Sequence, residues 1–236
     1  MTGVRVAALT ECGAVRTDNQ DAVLALGWIS QAARPRVVEL ATDGEPPLLL
    51  AVADGLGGHN AGALASRLAA AELATRHPGW DSPEAVHAGL IAAGETLHYT
   101  GARAAATAGM RTTVAGVLVT ADAVGVFNVG DSRVYRITDG YLEQLTVDHA
   151  SGRSTVTQAL GDPPADPLDP FVLFTPREPG RYLLCTDGIH GAVDERILRK
   201  ACRLEDSREL VEALRSEAYA AGAPDNLSVL VADLTT

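Results

Sequence analysis

TVAGVLVTADAVGVFNVGDSRVYRITDGYLEQL, residues 113–145, decides the fold. Two valine-rich stretches, Thr113–Thr120 and Ala123–Val129, are separated only by Ala121 and Asp122. A parallel pair of strands needs a crossover of about a dozen residues or more, so these two must be antiparallel neighbours. Next, Val134–Thr138 and Tyr141–Leu145 flank Asp139-Gly140. That dipeptide supplies the positive φ angles of a tight two-residue turn and predicts a β-hairpin.

Working outward, the runs Val4–Leu9, Ala22–Gly27 and Leu48–Ala53 have the length of strands. From Ala61 the period changes. Leu64, Ala65, Leu68, Ala69 and Leu73 fall at helical spacing, with Arg67, Glu72 and Arg76 on the other face. Ser82-Pro83-Glu84 is a helix start, and Val86, Leu90, Ala93 and Leu97 continue one apolar stripe. Towards the end, Phe171–Thr175, Tyr182–Thr186 and Leu227–Leu234 read as strands, and Asp206–Ala221 as a helix with Leu210, Val211 and Leu214 inward. Runs of strands and runs of helices, rather than strict alternation, predict an α+β fold in which helices pack outside antiparallel sheets. Ser30–Pro47, with Pro35, Pro46 and Pro47, is expected to be an exposed insertion containing a short strand at Arg36–Leu40.

With 236 residues, 47% apolar and 21% charged, the chain can bury a core and is expected to form one domain over residues 1–236. A net charge of −11 argues against nucleic acid or an anionic membrane as partner, because both would be repelled. Cys12, Cys185 and Cys202 are far apart and lack a C-x-x-C pattern. They indicate neither a disulfide framework nor a zinc site, and fit a reducing compartment. The apolar run Leu48–Ala53 is too short to span a bilayer, so a soluble cytoplasmic protein is expected.

Asp21, Asp54, Asp131, Asp187 and Asp225 each stand at an end of an apolar run. Any one Asp-Gly or Asp-Ser is ordinary turn chemistry. Five together, without His or Cys at ligand spacing, point to an oxygen-lined site for hard divalent metals, the equipment of phosphate chemistry. Gly55-Leu56-Gly57-Gly58-His59 must also be weighed as a nucleotide-binding loop. It fails that test: G-x-G-x-x-G breaks at Asn60, no G-K-[ST] follows, and Asp54 would direct negative charge at a pyrophosphate. A metal-binding turn with a glycine carbonyl as ligand explains the same glycines.

Arg16-Thr17-Asp18-Asn19-Gln20-Asp21, Ala53-Asp54-Gly55-Leu56-Gly57-Gly58-His59, Gly130-Asp131-Ser132-Arg133, Thr186-Asp187-Gly188 and Asp225-Asn226-Leu227-Ser228-Val229 form an ordered series. From about Val4 to Leu234 the chain resembles the metal-dependent (type 2C, PPM) Ser/Thr protein phosphatases of the bacterial kind. The resemblance implies a four-layer αββα arrangement, an antiparallel β-sandwich flanked by helices on both sides. It also implies a hydrolase for phosphoserine and phosphothreonine monoesters, acting through a metal-bridging water, with two or three Mn2+ or Mg2+ ions. Its partners would be phosphoproteins, substrates of Ser/Thr kinases, and the enzyme a monomer. By the same resemblance Asp54 would bridge two metals, Asp187 and Asp225 would complete the first, and the carbonyl of Gly55 would serve the second. Asp131 with Asp187 would hold a third ion, Arg16 would bind the substrate phosphate, and Asp21 would stand behind the second metal or reach it through water.

Several positions depart from the family pattern. Gln20 stands where animal relatives have glutamate, and Leu56 where they have a histidine thought to protonate the leaving group. His59 and His190 lie nearby, but a lone histidine near a site is more often a structural donor, so the acid is unassigned. Only His149-Ala150-Ser151-Gly152 separates Asp148 from Arg153, so the flap subdomain is expected to be shortened or absent. Arg111 replaces a usual glycine, either as a surface substitution or as a second cation facing the phosphate. The alternative to an enzyme is a non-catalytic metal-binding sensor or regulatory module with the same fold.

Overall fold

The computed structural model describes residues 3–57, 59–151 and 155–235, the side chains of 59 and 60 apart. Its first sheet is built from β1 (Val4–Glu11), β4 (Val38–Thr42), β9 (Arg133–Thr138), β10 (Tyr141–Gln144), β14 (Gly180–Cys185) and β15 (Leu227–Leu234). The spatial order is β10-β9-β14-β15-β1-β4. The second sheet contains β2 (Asp21–Ala25), β3 (Trp28–Ser30), β5 (Leu48–Leu56), β7 (Val114–Val119), β8 (Ala123–Val129) and β13 (Phe171–Pro176), with the short β6 (Arg111–Thr112) added to the end of β5. All the pairings are antiparallel, as the two-residue link after Thr120 requires. Asp139 and Gly140 both have positive φ, 50° and 75°, and close the β9–β10 hairpin.

The chain also forms α1 (His59–Arg76), α2 (Pro83–Gly101), a single turn α3 (Asp187–His190), α4 (Glu195–Ala201) and α5 (Ser207–Ala220). Ser82 caps α2 by accepting from Ala85 N at 3.2 Å, and Asp206 caps α5 by accepting from Glu209 N at 2.9 Å. Three apolar layers hold the sandwich together. Val23, Leu50, Val52, Val117, Leu184 and Leu230 belong to the layer between the sheets. Ala65, Ala69, Leu73, Leu90 and Leu97 pack α1 and α2 on the outer face of the second sheet. Leu198, Leu210, Val211 and Leu214 pack α4 and α5 on the outer face of the first. The result is the expected αββα layering. No helix among the described residues is long and apolar enough to cross a membrane.

The insertion contains its strand two residues later than expected, at Val38–Thr42 rather than Arg36–Leu40, because Val38–Thr42 is the stretch that pairs with β1. β3, α3 and α4 were not foreseen. At the shortened flap, β11 (Ala150–Ser151) pairs with β12 (Thr155–Val156), while residues 152–154, including Gly152 and Arg153, lie outside the described residues.

Candidate functional site

The faces of the strands explain how the aspartates come together. Val23 and Ala25 on β2, and Leu50 and Val52 on β5, fill the space between the sheets. Side chains alternate along a strand, so Asp21 and Asp54 continue that same inward face at its rim. The other strands change character at the same level: Thr10 follows Val4, Val6 and Ala8, Thr113 precedes Ala115 and Val117, and Ser228 precedes Leu230 and Ala232. A polar layer therefore caps the apolar one. It is internally bonded: Ser228 Oγ donates to Thr10 Oγ1 at 2.8 Å, Thr186 Oγ1 donates to Asp21 Oδ2 at 2.8 Å, and the Thr113 and Ser132 hydroxyls meet at 2.7 Å.

Above this layer Arg16, Asp54, Gly55, Asp187 and Asp225 line one cleft of about 400 Å³, together with Gln20 and Asn226. Asp54 is fixed by its backbone: its N–H donates to Thr113 Oγ1 at 3.2 Å, and its carbonyl accepts from Thr112 Oγ1 at 2.7 Å and Thr113 N at 2.8 Å. Gly55 follows where β5 passes between the end of β2 and the start of α1. A Cβ there would collide with the carbonyl oxygen of Gly62, which accounts for the glycine. Asp187 opens α3, and a Cβ on the following Gly188 would strike the carbonyl oxygen of Asn226. Such close approach brings the Asp187 and Asp225 turns together.

The cleft is crowded with negative charge. Burial, then the charges of Asp21, Asp187 and Asp225, pushes the Asp54 carboxyl well above the usual range. Burial raises Asp21 to about 7, and Asp187 is raised by burial and by Asp225. Asp54 and Asp187 are close enough for one proton to be shared between them. On the other side Arg16 donates to Asp225 Oδ2 at 2.8 Å, which raises the arginine's own pKa. A proton and a guanidinium thus relieve the repulsion. Among the described residues no three carboxylate, imidazole or thiol groups meet at metal-ligand distance; Arg16 holds Asp225 and Thr186 holds Asp21. The donors nevertheless suit a divalent cation: they are oxygens only, they repel one another, and they stand where a cation would lower the energy of the whole cluster.

Asp131 lies at a neighbouring corner and does not border the cleft. Burial, then Asp187, lifts it to about 6. His190 Nε2 donates to the Asp131 carbonyl at 3.0 Å, and burial lowers this imidazole to about 4, so it is neutral with its proton on Nε2. The side chain of His59 lies outside the described residues. Arg111 turns to Asp162 at 3.0 Å and does not border the cleft.

One contributor was not singled out by sequence reasoning. The Asn226 amide accepts from Gln20 N at 2.8 Å and donates to the carbonyls of Cys12 at 3.1 Å and Asp18 at 2.9 Å. It joins both ends of the segment that carries Arg16. Its only signal in the sequence is an amide directly between Asp225 and an apolar strand.

Comparison with known proteins agrees with this geometry. The family described as Protein phosphatase 2C matches residues 37–227. The Mycobacterium tuberculosis serine/threonine protein phosphatase PstP is 31% identical over 98% of this chain, which spans 45% of that protein's length. The Listeria monocytogenes serine/threonine phosphatase stp is 27% identical over 81% of this chain and 85% of its own. A solved structure of the catalytic domain of PstP in complex with two manganese ions superposes with a TM-score of 0.80 at 30% identity, covering 100% of both chains. With its aspartates gathered on one rim of a helix-flanked sandwich, this chain belongs to the protein phosphatase 2C family.

Proposed function

We propose that this chain is a metal-dependent protein phosphatase that hydrolyses phosphoserine and phosphothreonine monoesters of proteins. The observation that carries the reading is the gathering of Asp54, Asp187 and Asp225 in one cleft with Arg16. The PstP relative, a serine/threonine protein phosphatase by name, supports the substrate class.

In this reading Asp54 would be common to two Mn2+ or Mg2+ ions, with Asp187 and Asp225 to hold one and the Gly55 carbonyl the other. Asp131 with Asp187 would hold a third, and Asp21 would stand behind the pair. Bound there, the ions supply a water of lowered pKa and neutralise charge developing on the phosphoryl oxygens. Arg16 binds and orients the substrate. Its planar guanidinium has five donors, so it can keep one on Asp225 and offer others to phosphate oxygens. Thr112 and Thr113 hold Asp54 in place by its backbone, and the Asn226 amide holds the Arg16 segment.

Both sheets send strand ends to the one rim, which supports a single catalytic unit working as a monomer. Three free cysteines, two of them buried, favour a reducing compartment such as the cytoplasm. The test is manganese-dependent phosphate release from phosphothreonine peptides and from p-nitrophenyl phosphate, with EDTA as control. Manganese binding without release from either substrate would replace this reading by a non-catalytic regulatory module.

A further inference from the structure

Arg196, Arg199, Lys200 and Arg203 lie within eight residues of a chain whose net charge is −11. Their spacing of three, four and seven positions puts them along one side of α4 and its end. All four are exposed, while Leu198, Ala201 and Cys202 between them are buried against the sheet. Among the described residues, the acid that pairs with this row is Glu195, at 2.5 Å from Arg199.

A bland explanation exists for part of the row. Cations near a helix C-terminus are favoured by its dipole, and Arg199 and Lys200 are in the last turn. Arg196, however, sits in the first turn, where the same dipole opposes a positive charge. The dipole therefore does not account for a continuous line of cations.

The row starts beside the catalytic rim. α4 follows closely on α3, whose first residue is Asp187 and whose His190 holds the carbonyl of Asp131. Between α4 and the β9–β10 hairpin lies a cavity of about 380 Å³, bordered by Arg133, Gln144, His190 and Arg199. A second, of about 690 Å³, is bordered by Tyr141, Arg199, Cys202 and Arg203. Of the row, Arg199 borders both and Arg203 the second, beside Glu195, Asp139 and Glu205, while Arg196 and Lys200 border neither and are exposed on α4. β10 is the outermost strand of its sheet, and Tyr141 at its start is 78% exposed.

We infer that this row docks an acidic segment of the phosphoprotein substrate, a short run of Asp or Glu a few residues from the phosphorylated position. The inference rests on the phosphatase reading above. From Arg196 to Arg203 the row is about 10 Å long, enough for about three extended residues. Charge complementarity selects this occupant. On the exposed side of α4 a short acidic run meets four cations, one of them paired with Glu195, whereas a membrane or nucleic acid would also face the rest of a surface that is negative overall.

The experiment compares phosphothreonine peptides carrying four Glu residues on the N-terminal or the C-terminal side with the same peptides carrying Gln. The full chain is assayed with manganese, and p-nitrophenyl phosphate serves as a substrate that cannot reach α4. One acidic peptide is expected to show kcat/KM about threefold to tenfold higher at low salt, a preference that fades at high salt. The triple variant Arg196→Gln, Lys200→Gln, Arg203→Gln should lose the preference and keep its activity on p-nitrophenyl phosphate.

Equal turnover of Glu and Gln peptides by the wild type, or a preference that survives in the triple variant, overturns the inference. Sedimentation with phosphatidylserine vesicles that the variant loses, without any peptide preference, also overturns it and assigns the row to a membrane surface. Activity on p-nitrophenyl phosphate separates the two readings. If it is present and the preference is not, docking alone is wrong; if it too is lacking, the phosphatase reading fails and docking falls with it.

Discussion

Asp21 and Asp54 stand directly opposite one another in the antiparallel β2–β5 ladder. Opposed residues project from the same face with Cβ atoms about 4.5–5.5 Å apart, and like charges so placed are destabilising. Here both are at the end of an apolar face, and Asp21 is only 1% exposed. A sheet selected for stability alone would not put two carboxylates there. Their presence makes sense if a cation is the third member of the pair.

The protonation of Asp21 and Asp131 predicts how stability depends on pH in the chelated protein. Asp21 titrates near 7 and Asp131 near 6 when folded, against about 3.9 for a free aspartate. The folded state thus keeps protons that the unfolded chain releases, so this stability is complete below about pH 4 and is lost as pH rises through 6 to 7. Melting in EDTA should fall by several degrees between pH 5 and pH 8, at about 2–4 °C per kcal/mol for a chain of this size. Millimolar manganese should flatten the slope. A melting temperature in EDTA that rises over this range would contradict the assignment.

Asp54→Asn should abolish turnover, because Asp54 is the carboxylate on which the charges of Asp21, Asp187, Asp225 and Asp131 all act and the proposed common ligand of two ions. Manganese affinity should fall as well, yet the metal-free variant should melt higher than wild type, since one repelling charge is gone. Calorimetry with unchanged manganese affinity, joined to more than about a tenth of wild-type activity, would sink the role given to Asp54.

What could be read from the sequence follows from the range of the forces involved. Long valine-rich strands and the helices with a Ser82 or Asp206 cap announce themselves locally. β3 has three residues and exists because Val23–Ala25 pairs with it. α4 has seven residues and no apolar stripe of helical length, so nothing in its pattern stands out. The aspartates were legible because a carboxylate ending an apolar run is unusual. The Arg16–Asp225 pair was not, since 209 positions separate its partners. The hydroxyl layer was within reach: in Val4, Val6, Ala8 and Thr10 the alternating face changes from apolar to polar where the site begins.

Arg16→Ala should act on the substrate and not on the metals. Loss of a charge-assisted hydrogen bond to phosphate should lower kcat/KM by about 1.5–3 kcal/mol. The ion pair with Asp225 adds a second expectation. Both side chains are partly exposed, 54% and 36%, so the pair itself contributes little to stability, and its loss frees Asp225. Manganese affinity should therefore be unchanged or slightly higher. Weaker manganese binding would mean that Arg16 supports the metal site and is not a phosphate-binding group.

Asn226→Ala tests whether Arg16 depends on the segment that presents it. Asn226 is 5% exposed and makes three hydrogen bonds to the part-buried backbone at residues 12, 18 and 20, so its removal takes away three bonds of about 0.5–1.5 kcal/mol each. Arg16 lies within that segment and should lose its orientation, raising KM and lowering kcat/KM while manganese still binds. If the two residues act through one another, Arg16→Ala in the Asn226→Ala background should cost much less than it does alone. Additive losses in that double-mutant cycle would show instead that Asn226 supports the fold and leaves the position of Arg16 to other contacts.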